Sequence, residues 1–434
     1  MKPTVAPPDT SCFLGAGCLD SSFNGTGFAV YDQLGYISSV MTETDGKIIA
    51  VAQGTISPSS PTGKDLMIMK FNADGSRDTT FGDVDTGNPL LQLGYTHIPV
   101  TAGTEFVDAG ALQADGKILA SGWSSGIWWV VRTLPDGSLD PSFDGDGIRT
   151  VAYSDIGGED IVVQPDGKIL VGGGPNFTLT RFNTDGSFDN TFGSGGQVTY
   201  NASTNSRGSS RLWSIALQRV AAAPTEDRIV VGGWSLDRSN GTSSFALMRI
   251  RSDGTVDTTF GSGGRVKTSF FNTGDQVREL AIDPSNRIVA AGITRINSCS
   301  ATDFGIARYT ENGQLDASFG SQGKASLDLY NDENSVYALT VQPDGKPIVA
   351  GNATVLRTDP VNRRHYLTLV RFDTAGNLDA AFGSGTAGPG VVTTMLAEGP
   401  LDSIFVYSLH QQSDGRILAA GVLNNEPVMA RYLP

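Results

Sequence analysis

The sequence predicts an all-β protein, a seven-bladed β-propeller with four antiparallel strands in each blade. A turn signal of the type Gln-Pro-Asp-Gly-Lys recurs seven times along the 434 residues. In most copies a second Asp-Gly turn follows, with an Asp and then a Phe after it. Successive copies lie 51 to 70 residues apart, and a β-rich repeat of this length is typical of one propeller blade. The Lys or Arg that closes the first signal lies at Lys47, Lys117, Lys168, Arg228, Arg287, Lys346 and Arg416.

Each repeat supplies four strands, called A to D here. In the third repeat, alternating residues 160–164 predict strand A, and 168–172 predict strand B after the first turn. A variable loop leads to strand C at 178–182, and the second turn leads to strand D at 187–189. In both turns the Asp-Gly step ends a three-residue loop. We therefore expect a type I turn with the glycine in the left-handed conformation.

Opposite charges face each other across the hairpin of strands C and D. Counting outward from the turn places a cation on strand C opposite an Asp eight residues later, and such a pair stabilises a hairpin by about 0.2–1 kcal/mol. We interpret these pairs as structural clamps. They are Lys70 with Asp78, Arg132 with Asp140, Arg181 with Asp189, Arg249 with Asp257, Arg308 with Asp316, and Arg371 with Asp379.

A phenylalanine recurs three residues after each clamp aspartate. One bulky ring at a fixed position in every blade is expected to fill the wedge between neighbouring blades. These residues are therefore assigned to the core and given no ligand role. They are Phe23, Phe81, Phe143, Phe192, Phe260, Phe319 and Phe382.

The two ends of the chain are predicted to complete one blade. An outer-strand copy at 19–23 has no strands A to C before it, and the last strand C, at 428–432, has no strand D after it. We expect the two segments to pair, with Asp20 facing Arg431, which would remove exposed strand edges. A leader or linker then occupies 1–18 and one propeller 19–434. Blades 1 to 6 span about 36–82, 106–144, 158–193, 212–261, 277–320 and 336–383, and blade 7 combines about 19–27 with 404–434.

Charge and hydropathy exclude some classes of partner. The formal net charge of -14 argues against nucleic acid, because phosphate binding needs a basic surface. No apolar run reaches the roughly 18 residues of a membrane helix. We expect a monomer that binds a carbohydrate or a protein.

The N-terminal residues favour export. The polar, proline-rich stretch 1–10 reads as a leader left after removal of a signal peptide, so we expect a secreted, periplasmic or cell-surface protein; a cytoplasmic chain is the alternative. Three cysteines do not form a disulfide scaffold. Cys12 and Cys18 are close enough in sequence to bridge a short loop, with Cys299 left over, but the sequence does not decide whether they do.

The combined motif resembles a known family. The unit [RK]-[FY]-x-x-D-G-x-x-D-x-x-F-G-x-G-G, with a following Q-P-D-G-K-I, is similar to the delta-60 repeat, a β-propeller domain of unknown function, over about residues 19–432. The resemblance implies secreted or cell-surface bacterial proteins and supplies no defined activity. Blade 4 departs from the motif at 221–227, where its first turn is longer, and blade 5 departs at 283–287.

Residues that differ between copies are the candidates for function, because recurring residues are explained by what every blade needs. The long irregular connections share the strand ends opposite the Asp-Gly turns, and variable loops on a rigid scaffold commonly carry binding sites. These connections are 56–64, 83–104, 194–210, 352–364 and 384–400.

The tryptophans fall near these irregular ends. Aromatic rings with a polar tip suit the faces of sugars or peptides. Trp129 is assigned to packing between blades, whereas Trp123, Trp128, Trp213 and Trp234 are ligand candidates.

A column of polar and aromatic residues begins strand A of successive blades. Its members are Ser38, Asp108, Glu159, Trp213, Arg278, Tyr337 and Tyr407, with Arg211 beside them. An apolar column would indicate packing alone, whereas this composition indicates a ligand rim at the mouth of the central channel. A solvated entrance without a ligand is the open alternative.

The same column contains the candidates for catalysis. Asp108 and Glu159 are a carboxylate pair of the kind that hydrolyses glycosides when about 5–10 Å apart. Tyr337 or Tyr407 with Arg278 would instead supply a base and a charge neutraliser for polysaccharide elimination.

No cofactor is expected. The three histidines, His97, His365 and His410, lie in different blades without the spacing of zinc ligands. Two aspartate pairs, Asp83 with Asp85 and Asp144 with Asp146, leave calcium as a weaker alternative to ordinary turn residues.

The sequence thus favours a secreted binding module for a carbohydrate or protein. The alternatives are a polysaccharide hydrolase or lyase and, third, a purely structural repeat module.

Overall fold

The computed structural model shows seven four-stranded antiparallel sheets, which are the blades of an all-β, seven-bladed propeller as predicted. None of the residues that it describes forms a helix long and apolar enough to cross a membrane. The structure describes residues 15–32, 35–55, 63–84, 92–152, 158–203, 208–220, 223–237, 241–295, 302–329, 333–355, 364–383, 388–396 and 403–434.

Blades 1 to 3 take their strands in chain order, A to D. Blade 1 contains β2 (Tyr36–Thr42), β3 (Ile48–Gly54), β4 (Asp65–Phe71) and β5 (Tyr95–Ile98). Blade 2 contains β6 (Phe106–Leu112), β7 (Ile118–Ser124), β8 (Ile127–Thr133) and β9 (Ile148–Ala152). Blade 3 contains β10 (Asp160–Val163), β11 (Ile169–Gly173), β12 (Phe177–Phe182) and β13 (Gln197–Tyr200).

Blades 4 to 6 repeat the same order. Blade 4 contains β14 (Ser209–Val220), β15 (Ala223–Asp237), β16 (Thr242–Ile250) and β17 (Arg265–Thr268). Blade 5 contains β18 (Gln276–Ile282), β19 (Ile288–Thr294), β20 (Asp303–Tyr309) and β21 (Lys324–Leu327). Blade 6 contains β22 (Asn334–Val341), β23 (Pro347–Val355), β24 (Arg364–Arg371) and β25 (Val391–Thr394).

Blade 7 is built from both ends of the chain. Its strands A to C are β26 (Ile404–Gln411), β27 (Ile417–Leu423) and β28 (Glu426–Tyr432). Its fourth strand is β1 (Phe28–Val30), which pairs antiparallel with β28 through Phe28 and Ala430. The two ends of the described chain therefore pair, but the outer strand lies at Phe28–Val30 and not at the predicted 19–23, of which Leu19 forms only a bridge with Tyr432. Strand D of the third blade also lies later than predicted, at Gln197–Tyr200 in place of 187–189.

Contacts along the chain divide it into two compact units. Unit 1 comprises the described parts of Met1–Cys18, Gly172–Thr180 and Asn190–Val406. Unit 2 comprises Leu19–Val171, Arg181–Asp189 and Tyr407–Pro434. Blades 4 to 6 thus lie within unit 1, and blades 1 and 2 lie within unit 2.

The core of each blade lies in strands B and C. Every residue of β3, β4 and β20 is buried, whereas strand A alternates between buried and partly exposed residues, as in β2. Strands with both faces covered read as continuous apolar runs, and a strand with one open face alternates. The open face of strand A therefore carries side chains that remain partly accessible to solvent.

Both turns of the third blade have the predicted geometry. The Gln164 N–H donates to Lys168 O at 2.8 Å, and the Gly167 N–H donates to Gln164 O at 2.8 Å. Gly167 has φ +84°, a left-handed conformation that glycine adopts without the steric cost of a side chain. The longer first turn of blade 4 is different, since β14 and β15 extend the hairpin as far as the pairing of Val220 with Ala223.

Five of the six predicted clamps within one hairpin are present. The Arg Nε lies 2.8–2.9 Å from the Asp Oδ2 in the pairs Arg132–Asp140, Arg181–Asp189, Arg249–Asp257, Arg308–Asp316 and Arg371–Asp379. The sixth predicted pair, Lys70 with Asp78, does not form. Lys70 binds Glu43 at 2.7 Å instead, and Asp78 receives Lys47 at 2.7 Å. Lysine has a compact ammonium group and lacks the planar guanidinium with which arginine binds a carboxylate through two hydrogen bonds. The side chain of Lys70 is therefore less strictly directed to Asp78.

A cation that we did not predict reaches every clamp aspartate, and in six blades it joins the strand-C arginine there. It is the Lys or Arg that closes the first turn of the same blade, so the seven marker residues of the repeat have a structural role. The distances to the aspartate are 2.7 Å from Lys47, 3.4 Å from Lys117, 3.2 Å from Lys168, 3.5 Å from Arg228, 3.3 Å from Arg287, 3.0 Å from Lys346 and 2.8 Å from Arg416.

The repeated phenylalanine joins neighbouring blades. Phe23, Phe81 and Phe143 are almost fully buried, and a Cβ added to Gly75, in the next blade, would lie 2.6 Å from the Phe23 ring. The clamp arginine lies over the phenylalanine of its own blade, as Arg431 does over Phe23 at 4.9 Å. The assignment of these rings to the wedge between blades is confirmed for these copies.

The clamp of blade 7 joins the two chain ends. Arg431 Nε lies 2.8 Å from Asp20 Oδ2, the Asp20 N–H donates to Arg431 O at 2.8 Å, and both side chains are buried. Burial by itself would raise the pKa of Asp20. Hydrogen bonds from Ser22 and the charges of Arg431 and Arg416 outweigh burial and lower the pKa.

We predict that Asp20→Ala will loosen blade 7 locally, whereas Asp257→Ala will lower global stability. Both changes leave a buried guanidinium without its carboxylate, which costs about 3–5 kcal/mol. In Asp20→Ala the unpaired guanidinium of Arg431 becomes hydrated when β1 detaches, which removes most of this free-energy cost. The detachment of β1 does not require the other blades to unfold. Hydrogen exchange by mass spectrometry should show faster exchange over 28–30 in Asp20→Ala. Equal exchange in both variants would contradict this expectation.

We also predict that acid will weaken the fold through these clamps. The pKa values of Asp20, Asp78, Asp140, Asp257, Asp316 and Asp379 are lowered below the usual 3.8, that of Asp140 to about 2. A lowered pKa stabilises the fold above the unfolded value, and this stability is lost as pH falls through the folded value. Urea denaturation should show falling stability between about pH 4 and pH 2. A flat profile would contradict this reasoning.

Candidate functional site

The residues of the predicted column occupy β-bulges. In five blades the register between strands A and B passes over one residue of strand A, and that residue is Ser38, Asp108, Trp213, Arg278 or Tyr337. A bulge leaves one residue outside the ladder and redirects its side chain, and bulges are common beside functional sites. Glu159 immediately precedes β10, and Tyr407 lies within β26.

In unit 2 the column brings together two tyrosines and a carboxylate. The rings of Tyr407 and Tyr36 meet edge to face at 5.5 Å, and the Tyr36 hydroxyl donates to Val107 O at 3.0 Å. Burial raises the pKa of Tyr36, and the charge of Asp108 raises it further. Tyr36, which the sequence analysis missed, therefore ties the start of β2 to the bulge that carries Asp108.

In unit 1 the column brings together cations and aromatic rings. The guanidinium carbons of Arg211 and Arg278 each lie 4.5 Å from the centroid of the Trp213 ring. Arg278 also lies 6.0 Å from the centroid of Tyr337, which meets Phe405 edge to face at 6.4 Å. The two guanidiniums occupy the space over the indole where a sugar ring would stack. Trp213 is therefore held as part of a cation–π cluster and does not present an open aromatic platform.

An exposed pair of stacked aromatic rings lies in blade 2. The rings of Phe106 and Trp123 stack with centroids 4.2 Å apart and an interplanar angle of 11°. Phe106 is 39% exposed and Trp123 is 38% exposed, although most large apolar residues of the described chain are buried. We call this pair the aromatic shelf. It lies at the strand ends opposite the Asp-Gly turns, where the sequence predicts a binding surface.

A one-residue shift explains why sequence reasoning missed Phe106. Counting back from the turn that pairs Leu112 with Ile118 places Val107 opposite Trp123. The bulge at Asp108 moves the register by one residue, so that Phe106 faces Trp123 instead. The bulge therefore assembles the shelf, and no turn or periodicity signal in the sequence marks it.

The other tryptophans differ in accessibility. Trp128 and Trp129 are fully buried, and Trp128 packs 5.8 Å from the ring of Phe182 in the core. This burial corrects the assignment of Trp128 as a ligand contact, because no ligand reaches its ring, and it agrees with the packing role expected of Trp129. Trp123 and Trp234 both lie inside strand B rather than after it, and Trp234, which is partly buried, faces Arg211.

Two buried carboxyl groups lie close to the segment that carries Phe106. Glu105 precedes Phe106, and neither Glu105 (0% exposed) nor Asp65 (5% exposed) is accessible to a substrate. Burial and a hydrogen bond with the Asp65 carboxylate raise the pKa of Glu105 to about 7. His97 Nε2 lies 2.6 Å from Asp65 Oδ2. The sequence analysis dismissed His97 as a zinc ligand and did not identify this network.

No described group of three or more His, Cys, Asp and Glu side chains is arranged to hold a metal ion. Asp83 accepts the His97 N–H at 3.0 Å, and Asp144 binds Arg149 at 2.7 Å. Asp85, Cys12 and Cys299 lie outside the described residues, as do the central parts of the long loops. Cys18 is disulfide-bonded, and its partner lies outside them too.

The catalytic assignments stay predictions. Asp108 and Glu159 both lie in unit 2, but hydrolysis also requires a defined carboxyl separation and a bound sugar between them. Arg278 and Tyr337 do approach each other in unit 1, where the Arg278 guanidinium is already stacked on Trp213.

Comparison with solved structures finds matches of low sequence identity. A catalytically inactive virginiamycin B lyase from Staphylococcus aureus, solved with quinupristin, has a TM-score of 0.47 and 10% identity; the match covers 94% of this chain and 100% of that chain. Extracellular domains 1–2 of Drosophila Semaphorin 1a give 0.48 and 8%, covering 93% and 87%. A Lactobacillus plantarum protein gives 0.44 and 12%, covering 87% and 91%. At these values the comparisons carry no argument about function.

Sequence comparison gives a more specific answer. No curated protein matches the chain significantly. The family model described as "Domain of unknown function (DUF5122) beta-propeller" matches 43–81, 113–143, 164–192, 227–260, 284–319 and 342–382. These segments run from the first turn to the repeated phenylalanine in each of six blades. The six repeats of blades 1 to 6 therefore belong to the DUF5122 β-propeller family.

Proposed function

We propose that the protein is an extracellular or periplasmic binding module whose ligand, a carbohydrate, contacts the aromatic shelf of Phe106 and Trp123. The observation that carries the proposal is the pair of stacked, exposed rings, each more than a third accessible. Aromatic rings that remain exposed on a rigid strand scaffold offer binding area at little cost in conformational entropy.

The size of the shelf favours a sugar over a protein. An aromatic side chain has about 150–250 Å² of surface, so two rings at this exposure present roughly 115–195 Å². A protein partner needs about 800 Å² on each side. One or two sugar rings match the smaller area, because their C–H faces pack flat on an aromatic plane. A neutral sugar is also compatible with the net charge of -14.

The disulfide at Cys18 supports the proposed location. Disulfides persist in oxidising compartments such as the periplasm and the extracellular space, and they are rare in the cytosol. Together with the proline-rich stretch 1–10, the bonded cysteine favours an exported protein. A monomer remains our proposal for its solution state.

The two alternatives have less support. An enzyme at the bulge column would need carboxylates that reach a substrate, and Glu105, the carboxyl group whose pKa is raised, is fully buried. A purely structural module would have no reason to leave two stacked rings exposed.

A glycan array with the purified protein tests the proposal. We expect wild type to bind at least one glycan, and Trp123→Ala to weaken that binding by about tenfold or more, because a central aromatic contact contributes more than about 1.4 kcal/mol. Phe106→Ala should weaken it as well.

Trp234→Ala is the matched control. It makes the same substitution at the equivalent strand-B position of blade 4, where the facing residue is Arg211 and not phenylalanine. Its binding should equal that of wild type, and thermal melts should confirm that all variants fold. Loss of binding in Trp234→Ala alone, or the absence of any glycan bound by wild type, would contradict the proposal. If a protein bound through Phe106 and Trp123, the ligand would be a protein and not a carbohydrate.

A further inference from the structure

We propose that the proton held between Glu105 and Asp65 keeps the aromatic shelf in its binding conformation, so that ligand affinity falls as this proton is lost at alkaline pH. The ligand-binding part of this inference rests on the proposed function. Its structural part does not, because the shelf can be observed without a ligand.

The carboxyl group of Glu105 fixes the backbone that carries Phe106. Its Oε1 accepts the Thr101 N–H at 2.7 Å and the Thr101 hydroxyl at 2.8 Å. Its N–H donates to Lys64 O at 2.8 Å, and Gln53 Nε2 donates to its carbonyl oxygen. Both main-chain groups and the side chain of Glu105 are thus bound, and Phe106 is the next residue along the chain.

The same network reaches the strand that carries Trp123. Ser124 Oγ lies 2.8 Å from Thr101 Oγ1, and the Thr101 hydroxyl hydrogen is directed to Glu105. Ser124 is fully buried and follows Trp123 directly in β7. A chain of hydrogen bonds therefore links Glu105 to the backbone beside each of the two stacked rings.

A proton is required because two carboxyl groups share one buried site. Oε2 of Glu105 is buried and receives no hydrogen bond from a described donor, and the neighbouring side chain that perturbs it is the carboxyl group of Asp65. Two carboxylates at hydrogen-bond distance repel each other strongly where water is excluded, so one of them retains a proton and donates it to the other. The protonated Glu105 is the donor in this pair, and the Asp65 carboxylate accepts.

Other titratable groups face the pair from neighbouring elements. His97 on β5 binds Asp65 Oδ2 at 2.6 Å, and Asp83 accepts the main-chain N–H of His97 at 3.0 Å. Lys64, whose carbonyl binds Glu105, directly precedes Asp65 at the start of β4.

The direction of the pH effect follows from the raised pKa. Burial and Asp65 raise the pKa of Glu105 from 4.5 to about 7. A group with a raised folded pKa stabilises the fold fully below the unfolded value, and this contribution is lost as pH rises through the folded value. Above pH 7, ionised Glu105 repels Asp65, and the segment from Thr101 to Phe106 loses its support. The shelf should therefore be ordered below about pH 7 and loosened above it.

The variant Glu105→Gln separates the proton from the shape of the side chain. A glutamine amide donates to Asp65 through its N–H and accepts from Thr101 through its oxygen at every pH, as protonated glutamate does. Thermal unfolding from pH 5 to pH 9 should show wild-type stability falling between about pH 5 and pH 8, and a smaller fall in Glu105→Gln. Identical profiles would overturn the proposal.

Trp123 itself reports on the shelf without any ligand. The emission of Trp123 is obtained as the difference between wild type and Trp123→Phe, measured from pH 5 to pH 9. We expect a transition near pH 7 in wild type and none when the same pair of proteins carries Glu105→Gln. A transition that persists in Glu105→Gln would assign the effect to His97 and overturn the proposal, as would its absence from wild type.

Ligand affinity then tests the coupling. With a glycan identified on the array, wild-type affinity should fall between pH 6 and pH 8.5, by tenfold for each unit by which the ligand raises the Glu105 pKa. Affinity in Glu105→Gln should change less. If no glycan binds, the proposed function fails while the fluorescence transition still decides the structural inference. If wild-type affinity is equal at both pH values, the coupling is wrong although binding is real.

Discussion

The buried aspartate of each blade is the interaction on which the rest of the fold depends. Its carboxylate binds the cation that closes the first turn and, in six blades, also the arginine of strand C. One group thus ties the two hairpins of a blade together. The arginine then lies over the phenylalanine that packs against the next blade. A buried carboxylate is costly to desolvate unless it is paired, and two cations with several hydrogen bonds offset that cost here. Repetition of this unit explains why the motif is so regular.

Regularity in the clamps allows irregularity elsewhere. The Asp-Gly turns and the clamps stabilise each hairpin at one end of its strands. The opposite strand ends can therefore vary in sequence without loss of the fold. The bulges at Asp108, Trp213 and Arg278 lie at those opposite ends, and each places a different kind of side chain outside the ladder. One consequence is a closed cation–π cluster in unit 1 and an open aromatic shelf in unit 2. The same type of β-bulge thus occurs at two chemically different surfaces.

Much of the fold could be predicted from sequence because its determinants are local and repeated. The turns need glycine at positive φ, the clamps need opposite charges eight residues apart, and both requirements are visible in the residue order. Lys70 shows the limit of this reasoning, since its charge was correct and its partner, Glu43, lies on another turn. The candidate site was harder to predict. Phe106 meets Trp123 only after a one-residue shift, and Glu105 meets Asp65 from a different blade, so neither pairing leaves a periodic signal.

The pairing of β1 with β28 has a mechanical consequence. These strands are antiparallel, so the start of β1 and the end of β28 lie side by side, next to the ion pair of Asp20 and Arg431. Tension applied through the chain on either side would load the hydrogen bonds of this pair one after another, starting from the ion pair, rather than all at once in shear. Such an arrangement yields at low force and re-forms readily. Blade 7 would then give way first under load, while the clamps of the other six blades, each formed within one continuous repeat, remain intact.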